Sequence, residues 1–403
     1  MICNSPDNGG GANLLYRVTQ HLDKRRVKPT LLLHHDGWQA ARQREHGHAD
    51  YVIESGLHLL DPVPAPRADN LPEVARAVWS TARDWARVID HIKTLVRERH
   101  LDVLAGFGAA PAMLATLAGT AAGRPAIWSA QRCYDYRLQP LPMQALALLP
   151  AVRRIFAVSR AAAAPFRHVP GKVEITYNGL DPDEVDPAKL RGTLRARHGL
   201  GSEVKLVGLA GRVIHIKGVD LFLRAAAELA PRHPDVRFVV IGRREGDAFD
   251  RELDAIVRAA HLEDRVIFTG WVDDIRTEML DLNIVAIPSR RDAAPLVAYE
   301  AMALARPIVA ARCPGLDEQL DDGRTGLYIP REDIGALTAA LERLLDDADL
   351  RQCLGAAARE KLVAEFNIRS MVGRVEETIV RLARDPGAAL AARSMTGAAT
   401  TRT

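Results

Sequence analysis

The feature that most constrains this chain is an alternation: apolar runs of strand length recur along most of it, separated by stretches whose apolar residues repeat at helical spacing. In the first half the runs are "KPTLLLH" (28–34), "LDVLAGF" (101–107), "PAIWSA" (125–130), "RIFAVS" (154–159) and "VEITYN" (173–178). Amphipathic segments lie between them; the stretch 73–99 is apolar at 74, 78, 85, 88, 89, 92, 95 and 96. A turn-like segment rich in Pro, Asp and Gly, "NGLDPDEVDP" (178–187), interrupts the pattern. The alternation then resumes with "VKLVGLAG" (204–211), "VRFVVIG" (236–242), "RVIFTG" (265–270), "NIVAIPS" (283–289) and "RPIVAAR" (306–312). Such repetition predicts βα units around parallel sheets. At 403 residues and 48% hydrophobic composition, the chain is long enough for two such cores. The expected organisation is α/β with two doubly wound, Rossmann-like domains over 1–180 and 181–360. A helix over 361–385 is expected to cross back to the first domain, followed by a small, polar, disordered tail over 386–403. The first strand before the glycine loop is nearly absent, with only Met1 to Cys3, which implies either a misassigned start or a shortened sheet edge there.

Charge and cysteine content narrow the function classes. The net charge of +3 divides into +7 over residues 1–180, from 22 Lys/Arg against 15 Asp/Glu, and −4 over the remainder. A basic half suits a phosphate-bearing ligand or an anionic membrane face, and equally an ordinary solvated surface. No basic stripe interleaved with aromatics and no zinc-finger spacing occurs, so nucleic acid is not an expected partner. Cys3, Cys133, Cys313 and Cys353 lie far apart with no CxxC pair, which argues against a disulfide framework or a cysteine zinc site and fits a reducing cytoplasm. There is no signal peptide. The most apolar stretch, "MQALALLPAV" (143–152), is ten residues long and holds a proline, whereas a span needs ~20. Core packing or an acceptor-side wall is its first reading. Flanked by Arg137, Arg153 and Arg154, it also suits a peripheral seat at the inner face of a membrane.

In open parallel sheets, ligands bind outside the carboxyl ends of the strands. In the second half that rule selects Gly211 to Lys217, Gly242 to Glu245, Trp271 to Asp274 and Ser289 to Asp292. Pro295 fits the first position of a helix running through "PLVAYEAMALA", with Asp292 in the loop before it. The amides of Leu296 and Val297 would then be free at the positive end of the helix, a ready anion site, with Glu300 over a turn deeper. Two carboxylates flanking a phosphate-sized site make a poor acid/base pair. They suit a long ligand with hydroxyls at both ends and phosphate in the middle. Arg212 and Lys217 add cations that can neutralise a diphosphate and the charge that grows as it leaves. At the amino end, "SPDNGGGANLLYRVTQHL" runs glycines into an amphipathic helix, a weak sign of close backbone approach to a phosphate or sugar, and equally of a plain turn. The DxD patterns at Asp181/Asp183 and Asp347/Asp349 fall in a linker and near a helix end, where turn and cap roles are expected and no metal is. His34, His35 and His215 are isolated and read as structural or surface histidines.

Together these segments resemble the retaining GT-B glycosyltransferases of family 4, over residues 5 to 380 by order of motifs. "AGRVIHIKGVD" is similar to the family's G-R-x5-K-G element, with four residues in place of five between Arg and Lys. "VIGRREGDAFDRELDAIVRAAHLEDRVIFTGWVDDIRTEML" looks like its nucleotide-binding stretch, "PSRRDAAPLVAYEAMALARPIVA" like its E-x7-E motif, and "GLDEQLDDGRTGLYIP" like its closing loop. The resemblance implies two Rossmann-like domains facing a central cleft. It implies that Arg212 and Lys217 grip the donor diphosphate, that Leu296 and Val297 amides after Pro295 hold the distal phosphate, and that Glu300 accepts from the ribose hydroxyls. Asp292 would contact the transferred sugar, main chain at Trp271 and Val272 the base, with Gly211, Gly242 and Arg243 also on the donor. Gly10 and Gly11 would close over the diphosphate from the other domain. Asp292 stands where the family usually has Glu, which leaves its sugar contact and donor preference open. The histidine many members carry in the first domain has no counterpart in "DVLAGFGAAPA" or "IWSAQRCYDYR". Gln131 and Arg132 stand nearby and resemble the Glu-Arg pair of a subgroup handling N-acetylhexosamines or hexoses, on the acceptor side.

The implied activity is transfer of a hexose or N-acetylhexosamine from a nucleotide-diphosphate-sugar to an acceptor hydroxyl, with retention, without metal and without a further cofactor. A UDP-sugar is the first choice of donor and a GDP-sugar the second. The acceptor would be a carbohydrate, lipid-linked or small molecule, in glycan, glycolipid or natural-product biosynthesis. A nucleotide-sugar epimerase of the same fold and a non-catalytic nucleotide-binding relative are the rival readings. An NAD-dependent dehydrogenase is weaker, because the amino-terminal glycines lack G-x-G-x-x-G spacing and its acidic partner.

Overall fold

The computed structural model describes residues 1–3, 10–33, 35–53, 71–133 and 141–384; His34, Arg137 and the expected tail at 386–403 lie outside them. In chain order the elements are β1 (Ile2–Cys3), α1 (Gly10–His21), β2 (Thr30–Leu33), α2 (Trp38–His46), β3 (Asp50–Ile53), α3 (Leu71–Glu98), β4 (Leu104–Phe107), α4 (Ala109–Ala122), β5 (Ala126–Ala130), α5 (Leu141–Ala147), β6 (Val152–Ala157), α6 (Arg160–Ala163) and β7 (Val173–Ile175). There follow α7 (Leu194–His198), β8 (Lys205–Ala210), α8 (Val219–Leu229), β9 (Val236–Ile241), α9 (Ala248–Ala259), β10 (Val266–Gly270), α10 (Ile275–Met279), β11 (Ile284–Ile287), α11 (Leu296–Ala303), β12 (Ile308–Ala311), β13 (Leu327–Ile329), α12 (Ile334–Asp346), α13 (Ala348–Glu365) and α14 (Ile368–Arg384). The chain forms two compact units, one of Met1–Tyr177 with the chain from Ile368 onward, the other of Asn178–Asn367. Residues 361–365 finish α13 inside the second unit, where Lys361 bonds Asp321 at 2.6 Å.

The first unit holds a sheet in the order β3-β2-β1-β4-β5-β6-β7. The shortened edge expected near the amino end is instead the middle of this sheet. Ile2 pairs with Leu32 and Gly106, and Cys3 with Leu33 and Phe107, all parallel. The position follows from topology: the chain winds outward from β1 to β2 and β3, then returns to β4 on its other side, so the first strand is central however short it is. β3, "DYVI", escapes the apolar-run criterion because it is an edge strand with exposed Asp50 and Ile53. Leu14 and Val18 of α1, and Leu22 just after it, are buried together with Ile368, Met371, Val372, Val375 and Leu382 of α14. Glu376 reinforces that contact, accepting from the Asp23 amide at 2.9 Å and from Arg26 at 2.6 Å.

The second unit has the order β10-β9-β8-β11-β12-β13, again parallel. Strands β11 and β12 are buried at every position, as a sheet covered on both faces requires. Side-chain caps fix where several helices start. Asp247 accepts from the amides of Phe249 and Asp250 ahead of α9, Asp333 from Ala336 ahead of α12, and Asp347 from Leu350 ahead of α13. Asp181 accepts from the Asp183 amide at 3.1 Å in a local turn. Winding reverses between β8 and β11, so their carboxyl ends flank the topological switch point. No helix among the described residues is long and apolar enough to cross a membrane.

Candidate active site

Four loops leave the carboxyl ends of β8, β9, β10 and β11. The first two are stitched together by backbone: Gly211 donates to Ile241 at 2.9 Å and Val213 to Arg243 at 3.2 Å. Gly242, at φ +155, passes so close that a Cβ there would lie 1.8 Å from the Gly211 carbonyl oxygen. No side chain fits at that crossing. Arg212 and Arg243 point outward from it; both are exposed, and neither forms an ion pair among the described residues. The β8 loop then tightens into a 3-10 turn over His215–Lys217 and enters α8 through Gly218 at φ +70, where a Cβ would meet the Pro288 carbonyl at 2.2 Å.

That turn is held against the β11 loop by Arg290, which bonds Asp220, the His215 carbonyl and Glu332. Burial, the largest single influence, pushes the Asp220 carboxyl up, but the Arg290 hydrogen bonds and charge, with a backbone hydrogen bond and His215, together hold the group below the usual carboxylate range. Two residues beyond Arg290, Asp292 accepts a charge-assisted hydrogen bond from the Lys217 ammonium. Asp292 also forms a backbone bridge with Gly315, whose φ of +97 lets it press against Ala293; a Cβ there would lie 2.1 Å from the Ala293 carbonyl. Gln319, fully buried, donates to the Pro295 carbonyl at 3.3 Å.

The helix expected to begin at Pro295 begins one residue later. Pro295 has φ −62 and ψ 127, an extended cap conformation, and its carbonyl accepts from Ala298 at 3.2 Å. The proline ring fixes φ but not ψ, so it ends the extended loop rather than opening the helix. Leu296 and Val297 are therefore the first two helical residues. Their amides donate to no partner among the described residues, and they stand at the positive end of α11. Glu300 is buried one turn in and acts electrostatically on Arg276, whose raised pKa comes first from its hydrogen bonds to Asp274 at 2.7 and 2.8 Å. Trp271, half exposed, donates weakly to Asp273 at 3.4 Å, and Val272 beside it is partly buried.

The structure thus brings Lys217 and Asp292 into contact and sets Gly211, Arg212, Gly242, Arg243, Trp271, Val272, Pro295, Leu296, Val297 and Glu300 on the same end of one sheet. Gly10, Gly11, Gln131 and Arg132 belong to the first unit. Gly10 and Gly11 open α1. Gln131 donates to the Ser129 hydroxyl at 3.0 Å in a shallow pocket after β5 that Arg132, Trp128 and Phe166 also line. Sequence reasoning placed Arg290 in the selected loop 289–292, and Gly218, Asp220 and Gly315 inside quoted motifs, but gave none of them a role and missed the Arg290–Asp220 pair. The pairing and the close glycine approaches are defined by tertiary contact, which no local pattern shows.

Two Rossmann-like units of parallel α/β architecture are those of the GT-B fold, and the second has two open helix-start amides at its switch point. A family model described as Glycosyltransferase Family 4 matches residues 8–184, and one described as Glycosyl transferases group 1 matches residues 204–347. The chain belongs to these group 1, family 4 glycosyltransferases. It is 37% identical over 236 residues to the lipopolysaccharide core biosynthesis mannosyltransferase LpcC of Rhizobium leguminosarum bv. viciae, covering 57% of this chain and 66% of that one. It is 34% identical over 187 residues to the alpha-D-kanosaminyltransferase of Streptomyces kanamyceticus, covering 46% and 47%. The matched stretches thus span about half to two thirds of the length of these curated relatives. In fold, the chain resembles Anabaena Alr3699/HepE solved in complex with UDP-glucose, with TM-score 0.76 at 19% identity, covering 94% of this chain and 98% of that one.

Proposed function

We propose that the protein is a retaining hexosyltransferase that moves a hexose or N-acetylhexosamine from a nucleotide-diphosphate-sugar, UDP-linked in the first instance, to an acceptor hydroxyl. The observation that carries this reading is the Lys217–Asp292 contact. It draws a cation from the β8 loop to the segment just ahead of α11, where two helix-start amides are unpartnered. A diphosphate bound there would meet an ammonium, the exposed Arg212 guanidinium and the positive end of a helix. All three stabilise charge most where it grows, on the leaving diphosphate, and so act on the transition state more than on the bound donor. In this reading Glu300 accepts from the ribose, Asp292 contacts the sugar, the main chain at Trp271 and Val272 faces the base, and the departing phosphate takes the acceptor's proton. No metal is required, since the positive charge comes from the chain itself. Gln131 and Arg132 serve the acceptor. The likeness to a mannosyltransferase and a kanosaminyltransferase, and to HepE in complex with UDP-glucose, supports a sugar nucleotide as donor.

A thermal-shift panel of UDP, GDP, ADP and their sugar conjugates tests the reading, because a ligand that binds only the native state raises the Tm. One base should stand out, and no shift from any of them would refute it. Incubating the preferred donor without acceptor separates transfer from epimerisation, which would yield a new sugar isomer.

Peripheral contact with the inner face of a membrane is part of the same proposal. Leu141 and Leu148 of the α5 region are 47% and 56% exposed, while Met143 and Ala147 are buried. The leucines share a shallow groove with Arg167 and His168. Cosedimentation with anionic vesicles, lost on substituting both leucines with Ser, is the expected outcome; equal binding to neutral vesicles would speak against it.

A further inference from the structure

Three loops of the second unit meet through Arg290. Its guanidinium forks onto Asp220, Nη1 donating to Oδ1 at 2.8 Å and Nη2 to Oδ2 at 2.7 Å. Nη1 also donates to the His215 carbonyl at 2.6 Å, and Nε to Glu332 Oε1 at 2.9 Å. The Arg290 amide donates to the Ile216 carbonyl at 2.9 Å. Every one of these bonds except that to Glu332 goes to the segment 215–220, which carries Lys217. The acceptor of the Lys217 ammonium, Asp292, lies two residues from Arg290.

The pair is well shielded, with side chains 15% and 7% exposed for Arg290 and Asp220. A short turn entering its helix through a glycine has little of its own to fix it. Here a planar fork supplies two parallel bonds to one carboxylate and leaves Nε for Glu332, a geometry that lysine cannot reproduce. Glu332 itself has φ +59, an uncommon backbone conformation for a residue with a side chain. A pair serving only to offset one buried charge would not need its bonds directed at both ends of the Lys217 turn.

We propose that Arg290 is a positioning residue: its buried fork onto Asp220, with its bonds to the backbone at His215 and Ile216, fixes where the Lys217 ammonium stands. It thereby sets how tightly the diphosphate of the donor is held. The inference rests on the donor site proposed above and adds to it a residue that touches no substrate.

The test uses full-length wild type, R290Q, R290K, D220N, K217A and the R290Q/K217A double variant. Whichever of UDP, GDP and ADP raises the wild-type Tm is titrated calorimetrically, alongside its parent nucleoside. R290Q should weaken the diphosphate roughly tenfold to a hundredfold, the range for losing a charge-assisted hydrogen bond, and leave the nucleoside unchanged. K217A should add little in the R290Q background, because the lysine is already displaced. R290K should recover part of the loss. If R290Q melts too low to titrate, D220N and R290K carry the same comparison of diphosphate with nucleoside. Unchanged diphosphate affinity, equal weakening of diphosphate and nucleoside, or fully additive losses in the double variant would each overturn the positioning role while leaving the donor site standing. Binding of none of the three nucleotides to wild type would overturn the donor site, and the role of Arg290 with it.

Discussion

Lys217 and Asp292 were both legible as site residues from their place after strand ends, but nothing in their spacing said that they would touch. They lie 75 positions apart in sequence, and the contact exists only because β8 and β11 are neighbours at the switch point. The same neighbourhood creates the Arg290–Asp220 pair, which no local pattern marks, because an arginine in a loop normally reads as solvated. Arg212→Ala and Lys217→Ala are each expected to lower turnover at saturating donor by about two orders of magnitude, the usual cost of removing a group that meets transition-state charge. Binding of the intact donor should fall far less; steady-state kinetics beside calorimetry would reveal the split. Asp220 gives a pH prediction with a definite sign. A carboxyl depressed in the folded state binds fewer protons there than in the unfolded chain. Its contribution is therefore present above the ordinary carboxylate range and fades as pH falls through the depressed value. Denaturant melts should lose stability progressively below about pH 5, and D220N should flatten that acid limb.

At the scale of elements, the long buried strands were readable and the short or polar ones were not. β13 has three residues behind a glycine turn, and β3 is exposed at both ends and only half-buried between them, so neither offers the buried apolar run that marks β9 or β11. The start of α11 was misjudged by one residue because proline's preference for the first helical turn concerns φ, whereas the structure spends Pro295 on the extended approach. The glycine-led loop after β12 belongs to the same assembly. Gly315→Ala combines a backbone conformation disfavoured for alanine with a collision against the Ala293 carbonyl. It should cost roughly 1–3 kcal/mol of stability, measurable by urea melts. Because Ala293 adjoins Asp292, it should also weaken nucleotide binding, whereas Gly335→Ala, where a Cβ has room, should do neither.

For the molecule as a whole, the two units differ in how the chain completes them. The second is continuous, while the first needs α14 from the far end of the sequence. A chain stopped after Asn367 would uncover Leu14, Val18 and Leu22, each worth about 1.5–3 kcal/mol when fully buried. Calorimetry of that truncation should show the first unit melting lower or not at all, while the nucleotide-dependent shift of the second persists. The first unit has a further peculiarity in β1, whose two residues join β2 and β3 on one side to β4 through β7 on the other. A sheet usually frays from its rims and protects its centre longest. Here the seam with the fewest rungs runs down the axis, so amide exchange in this half of the protein should follow an inside-out order, with the interior ladder parting before the flanks dissolve.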